Sequence, residues 1–185
     1  YGFHGVIQHV NKDILEEMEN LIKNEGITSF KIYMTYDFKL NDKDILTVLK
    51  RLGELGAITA VHCENDDILS FFKEEYLNNH LTAPIYHALS RPEEAEEEAV
   101  NRMVTLSSLA GNAPLYIVHV STGKAARIIR QAKERKLRVF GETCPQYLLL
   151  DQTLYGKENN EGLKYIMSPP LREKQNQEIL WKYIE

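Results

Sequence analysis

ITSFKIYM (residues 27–34), AITAVH (57–62) and LYIVHV (115–120) are short, nearly continuous apolar runs. Strands of that kind, without two-faced alternation, belong to a parallel sheet covered by helices. Each run also carries a polar side chain that is costly to bury without a task. Lys31 lies inside the first run, while His62 and His119 end the second and third. In a parallel barrel the carboxyl ends of successive strands meet on one face, where such folds build sites. A lysine and two histidines converging there point to a metal centre.

Helical patterns alternate with these strands. Asn11 can cap a helix through Glu25 with Ile14, Leu15, Met18, Leu21 and Ile22 on one face, stopped by Gly26. Asn41 or Asp42 opens a second, with Ile45, Leu46, Leu49 and Leu52 on its buried stripe and Gly56 beyond it. A helix is predicted near 66–79, a loop containing Pro84 over 80–91, and a long helix over 92–110 with Pro92 in its first turn. A helix over 123–136, a strand LRVFGE (137–142), a candidate strand KYIM (164–167) and a last helix from about 174 follow. Repeated strand-then-helix units suit either a barrel or a doubly wound sheet. No Gly-rich phosphate loop follows any strand, which counts against a nucleotide-binding sheet. A whole barrel takes about 250 residues, so the 185 residues here, with four or five strands, amount to about half of one.

The bulk properties exclude several classes. Hydrophobic residues make up 43% and charged residues 26%, an ordinary globular balance. A net charge of −5 argues against nucleic-acid binding, which needs a clustered basic face. The apolar stretches are too short for a membrane span, and no signal segment opens the chain. Two cysteines, Cys63 and Cys144, are too few and too distant for a disulfide framework or zinc ribbon, and both read as packing residues. A cytoplasmic setting is the expectation. The chain opens on Tyr1 and closes inside an amphipathic pattern, so a piece of a longer polypeptide is expected. The acidic run RPEEAEEEA (91–99) reads as the solvated start of a helix, where carboxylates favour the positive end.

For each candidate a plainer alternative stands beside the functional one. A histidine at a strand end is often a hydrogen-bonded core residue, although two at equivalent ends favour metal ligation. His4 can end an earlier strand and line the same face, whereas His9, His80 and His87 lie in terminal, helix or loop contexts. Period-two geometry puts Ser29, Lys31 and Tyr33 on one strand face. A buried ammonium repels a metal and is costly to desolvate. A lysine whose pKa is lowered can instead react with carbon dioxide to give an anionic carbamate that bridges two cations. Its alternative is a pairing with a nearby carboxylate.

FKIYMTY, VHCEN, RPEEAE, VHVS, GETCPQYL and KYIMSPPLR, in this order and spacing, resemble the hydantoinase/dihydropyrimidinase family of cyclic amidohydrolases. The resemblance runs over essentially the whole chain. It implies an α/β fold, part of a TIM-like (β/α)8 barrel of the metal-dependent hydrolase type, with residues 1–185 as the central portion of the catalytic domain. It implies a binuclear site, usually zinc, bridged by a carboxylated lysine that matches Lys31. His62 and His119 match the two histidines that, with the carbamate, hold one of the two metals. Tyr36 matches the tyrosine that steadies the developing oxyanion; its plainer role is anchoring a loop. Ser168 matches a residue that grips the ring amide or imide mainly through its backbone, and otherwise reads as a turn before two prolines.

The family's first-strand His-x-His pair and last-strand aspartate have no counterpart in this sequence, so both are expected outside it. The reaction implied is hydrolysis of hydantoins or dihydropyrimidines to N-carbamoyl amino acids by a homotetramer or homodimer. The isolated piece is expected to be inactive and to hold at most one metal. Allantoinase or dihydroorotase activity is the alternative within enzymes. A non-catalytic dihydropyrimidinase-related scaffold is the alternative outside them, and retention of Lys31, His62 and His119 together favours the enzyme.

Overall fold

Among the described residues five parallel strands in the order β1-β2-β3-β4-β5 form one sheet, each hydrogen-bonded to its sequence neighbours. The computed structural model describes residues 2–184. The strands are β1 (Gly5–Val6), β2 (Ser29–Tyr33), β3 (Ile58–His62), β4 (Leu115–Ile117) and β5 (Val139–Gly141). A doubly wound sheet reverses its strand order at a switch point; this one never does. The order is that of a barrel wall wound in one direction, which removes the doubly wound alternative.

Among the described residues eight α-helices connect and cover the strands: α1 (Lys12–Glu25), α2 (Asp42–Glu54), α3 (Asp66–Asn78), α4 (Pro84–Leu89), α5 (Glu93–Leu109), α6 (Gly123–Glu134), α7 (Pro145–Leu149) and α8 (Gln175–Ile184). Their starts follow from local chemistry. Asn11 accepts from the Ile14 amide and Asn41 from the Asp44 amide, satisfying donors that have no partner inside the helix. Gly26 closes α1 in the left-handed region at φ 71°. Ile45, Val48, Leu49 and Leu52 of α2 are fully buried against the sheet, whereas Leu46 is only half-buried.

Two expectations fail. The segment expected as a loop over 80–91 contains α4, because Pro84 takes a first-turn position where its missing N–H costs nothing. KYIM is not a strand: a 3-10 turn over Glu161–Tyr165 occupies its start, and the fifth strand is instead Gly5–Val6. That strand begins after His4, so His4 lies at the amino end of the sheet. There its Nδ1 meets Ser29 Oγ at 2.7 Å, away from the carboxyl-end face that a place at the end of the strand would have given it.

Register sorts the side chains into two layers. Val6, Lys31, Ala60, Tyr116 and Phe140 stand opposite one another in one row, and Tyr33 stands opposite His62. Phe30, Thr59, Leu115 and Val139 form a row on the other face, buried under the helices. Lys31 therefore points away from the helices, toward the barrel interior.

Leu49→Ala should destabilise the protein by about 2–5 kcal/mol, the usual result of emptying a close-packed site. Leu46→Ala should cost clearly less. Chemical denaturation of both variants checks this, and equal losses would contradict the assignment of the buried stripe.

Candidate metal centre

The interior of β2, the end of β3 and the turn after β4 supply the candidate site. His62 is the last residue of β3 and is 2% exposed. His119 was expected to end its strand, but β4 stops at Ile117 and His119 lies two residues further on. The cause is a backbone turn at φ 43°, after which Val120 pairs with the Glu142 carbonyl. Non-glycine residues in that region are uncommon and carry strain. The turn brings His119 Nε2 to 3.0 Å from His62 Nδ1, with ring centroids 4.6 Å apart.

Lys31 lies one layer deeper, its Nζ 4.0 Å from the centre of the Tyr33 ring and bonded to the Ile32 carbonyl at 3.3 Å. Among the described residues no carboxylate forms an ion pair with it. The paired-lysine alternative has no partner to rest on. Burial pushes the amine down to about 8, with Cys63 and Glu142 acting weakly the other way. Its charge is close enough to depress both imidazoles. His119 is pushed down to about 4, by burial first and then by His62; His62 is lowered mainly by burial, against Glu64.

The protons can be assigned. Glu64 is fully buried, and its Oε2 lies 2.6 Å from His62 Nε2. Its partners hold its carboxyl below the usual range despite burial, so it accepts and does not donate. His62 then carries its proton on Nε2 and offers a bare lone pair at Nδ1. Facing that lone pair is His119 Nε2. With His119 Nε2–H donating to His62 Nδ1, buried His119 Nδ1 is left as the ring nitrogen without a partner among the described residues. A cation suits the gap, since a tetrahedral ion with bonds of ~2.0–2.1 Å holds adjacent ligands about 3.3 Å apart. No cluster of three or more His, Cys, Asp or Glu side chains able to hold a metal occurs among the described residues. The donor set here is two imidazoles and a lysine, and an amine joins such a set only once it is neutral or carboxylated.

Tyr36 stands beside His62, its ring centre 5.2 Å from that of His62 and its hydroxyl near Ser168. It too is left-handed, at φ 77°. Asp66, at the first position of α3, holds this loop by accepting from Thr35 Oγ1, the Tyr36 amide and Lys39 Nζ at 2.6, 3.3 and 2.5 Å. Ser168 Oγ is 3.5 Å from His87 Nε2, which bonds the Met167 carbonyl at 2.8 Å. A cavity of ≈ 940 Å³ opens beside Tyr36, with His87 and Arg91 in its wall. Lys31, His62 and His119 do not line it, so it flanks the centre. Cys63 is buried in the core and Cys144 precedes α7, neither among the converging groups.

Known proteins match the chain closely in sequence and fold. No family model matches the chain. D-phenylhydantoinase of Escherichia coli O1:K1 is 52% identical over 181 residues, spanning 98% of this chain. The solved D-hydantoinase of Bacillus sp. AR9 superposes with a TM-score of 0.98 at 46% identity, over 100% of this chain. The chain belongs to the hydantoinase/dihydropyrimidinase family. Dihydropyrimidinase from Brevibacillus agri NCHU1002 agrees, with a TM-score of 0.95 and 49% identity over 98% of the chain. A dihydroorotase from Campylobacter jejuni, 12% identical with a TM-score of 0.64, shares the fold. The chain spans 39% of the length of the E. coli hydantoinase and 40% of the two solved relatives, and its sheet is part of their TIM-like barrel.

Sequence reading missed Glu64, Arg91, Asp66 and Glu96. Glu96 corrects the solvated reading of RPEEAEEEA: it is 2% exposed and accepts from Ser121 Oγ and from the Ser121 amide at 2.8 Å. Its helical phase with Ala99, Val100 and Met103, all buried, was the available signal.

The histidine shifts carry a pH dependence. In metal-free protein the unfolded chain binds protons at these imidazoles near pH 6.5, while folded His119 does so only near 4. Stability is complete above the unfolded value and is lost as pH falls through this window. Denaturant titrations in chelator at pH 7 and pH 5 should show the loss, and His119→Gln should shrink it. An equal loss in the variant would contradict the buried, neutral assignment.

Proposed function

We propose that Lys31, His62 and His119 hold one divalent cation of a binuclear, zinc-type centre, and that the whole protein hydrolyses the ring amide of hydantoins or dihydropyrimidines. The 3.0 Å approach of His62 Nδ1 to His119 Nε2, beside a lysine pushed down to about 8, carries this reading. Near neutral pH a real share of that amine is uncharged. It can add to carbon dioxide, forming an N–C bond and releasing one proton, to give a carbamate whose oxygens suit a cation. Bound divalent ions supply Lewis acidity and lower the pKa of water.

The chain's own residues do the positioning. The Tyr36 hydroxyl donates to the ring carbonyl oxygen as negative charge develops there, the task of an oxyanion donor. The nearness of Ser168, proposed to hold the ring, supports this role. Ser168 orients the ring through its backbone groups, with His87 bracing the same loop through Met167. Water adds across the C–N bond: oxygen goes to the carbonyl carbon and a proton to the nitrogen, yielding an N-carbamoyl amino acid. The proton donor to nitrogen and the ligands of the second cation come from outside residues 1–185, which form the central portion of the catalytic barrel. The names of the matched relatives support hydantoins and dihydropyrimidines as the substrate class. A cytoplasmic homotetramer or homodimer completes the proposal.

In the whole protein, Tyr36→Phe should lower kcat about 10²–10³-fold, as loss of an oxyanion donor does, and should move KM less. Steady-state kinetics on hydantoin checks this, and unchanged kcat would remove the role. Protein equilibrated with ¹³C-bicarbonate should show a carbamate resonance that vanishes in Lys31→Ala along with activity. The 185 residues alone should give negligible hydantoin turnover; substantial turnover by them, or by Lys31→Ala, would refute the scheme.

A further inference from the structure

The carboxylate of Glu64 is the best-enclosed charge near the centre, and the proposed reaction gives it no task. It is 0% exposed and lies two residues past the end of β3, its side chain turned back onto the His62 ring. One oxygen, Oε2, receives both His62 Nε2 at 2.6 Å and Arg91 Nη1 at 2.5 Å. The other oxygen has no partner among the described residues. Burying a carboxylate this way is costly unless a cation and good hydrogen bonds compensate it. Arg91 provides the cation, and Arg91 is itself braced. Its carbonyl accepts from Arg172 Nη1, and Arg172 also donates to Ser121 Oγ at 2.9 Å and to Glu96 Oε2 at 3.4 Å. The bracing chain thus draws on the end of β3, the start of α5, the turn into α6 and the loop that carries Ser168.

We propose that Glu64 and Arg91 are positioning residues that clamp the His62 ring through Nε2–H and so present its Nδ1 lone pair to His119. Metal-binding imidazoles generally donate their second nitrogen to such a partner, which fixes ring orientation and tautomer. Here the partner is held from two sides: the ring can neither flip nor exchange its proton without leaving a buried carboxylate with an arginine alone. The inference rests on the metal reading only for what Nδ1 is presented to.

The test uses ¹⁵N-histidine-labelled protein in chelator, followed by zinc titration against a competing chromophoric chelator. Unmutated protein should show His62 as the Nε2–H tautomer. Glu64→Met should release the ring into mixed tautomers and weaken zinc binding about 10–100-fold, the usual range for loss of such a partner. Glu64→Gln, which keeps an accepting oxygen, should recover most of both. Arg91→Met should weaken zinc binding in the same direction, with Arg91→Lys recovering it. An Nδ1–H tautomer in unmutated protein overturns the proposal whether or not any variant folds, as does a Glu64→Met protein with tautomer and affinity unchanged. An Nε2–H ring in protein that binds no zinc supports the clamp while removing the metal reading, so the two stand or fall separately.

Discussion

Parallel register among β2, β3 and β4 is the constraint on which the proposed centre depends. It sets Lys31 opposite Ala60 and Tyr33 opposite His62, so that lysine and histidine occupy successive layers of one face. A slip of one residue along either strand would turn its polar side chain into the helix layer among Phe30, Ile32 and Val61, all at most 1% exposed. The apolar rows under the helices make that slip expensive, since each buried side chain of this size is worth about 1.5–3 kcal/mol. The packing that stabilises the sheet therefore also fixes which groups meet inside the barrel.

Register brings the groups to one face, and local strain completes the approach. His119 leaves β4 through a left-handed residue, and Tyr36 follows β2 through another. Neither conformation is favourable for these side chains, and each is held by neighbours. Val118 and Val120 pair with Val61 and Glu142 on either side of His119, and Asp66 gathers the loop around Tyr36. Behind them, Glu64, Arg91, Arg172 and Glu96 compensate one another's charges, Glu64 and Glu96 in full burial and Arg91 at the cavity wall. Such a network is favourable only when complete, which ties the stability of this region to the geometry of the His62 ring.

Much of this was legible in the sequence, for reasons local to each segment. Asn11, Asn41 and Gly26 announce helix ends because their side chains, or the lack of one, act on adjacent backbone. The apolar runs announce strands, and Lys31, His62 and His119 stand out against them. What escaped depends on distant partners or on local context that pattern reading weighs poorly. Pro84 reads as a breaker yet begins α4, and KYIM is too short for its apolar content to decide its conformation. Glu96 sits in an acidic run whose composition hides one buried phase. Glu64 and Arg91 lie 27 positions apart, and nothing in either segment alone says that they pair. The turn at His119 has no glycine to mark it, so LYIVHV reads as one straight strand.

Crystals of the protein soaked in zinc and measured at the zinc absorption edge address the arrangement most directly. The account predicts an anomalous peak between His62 Nδ1 and His119 Nε2, on the side where the Lys31 side chain reaches, with the Glu64 contact to His62 intact. No peak at that position, with the two rings turned away from each other or Lys31 directed to bulk solvent, would contradict it.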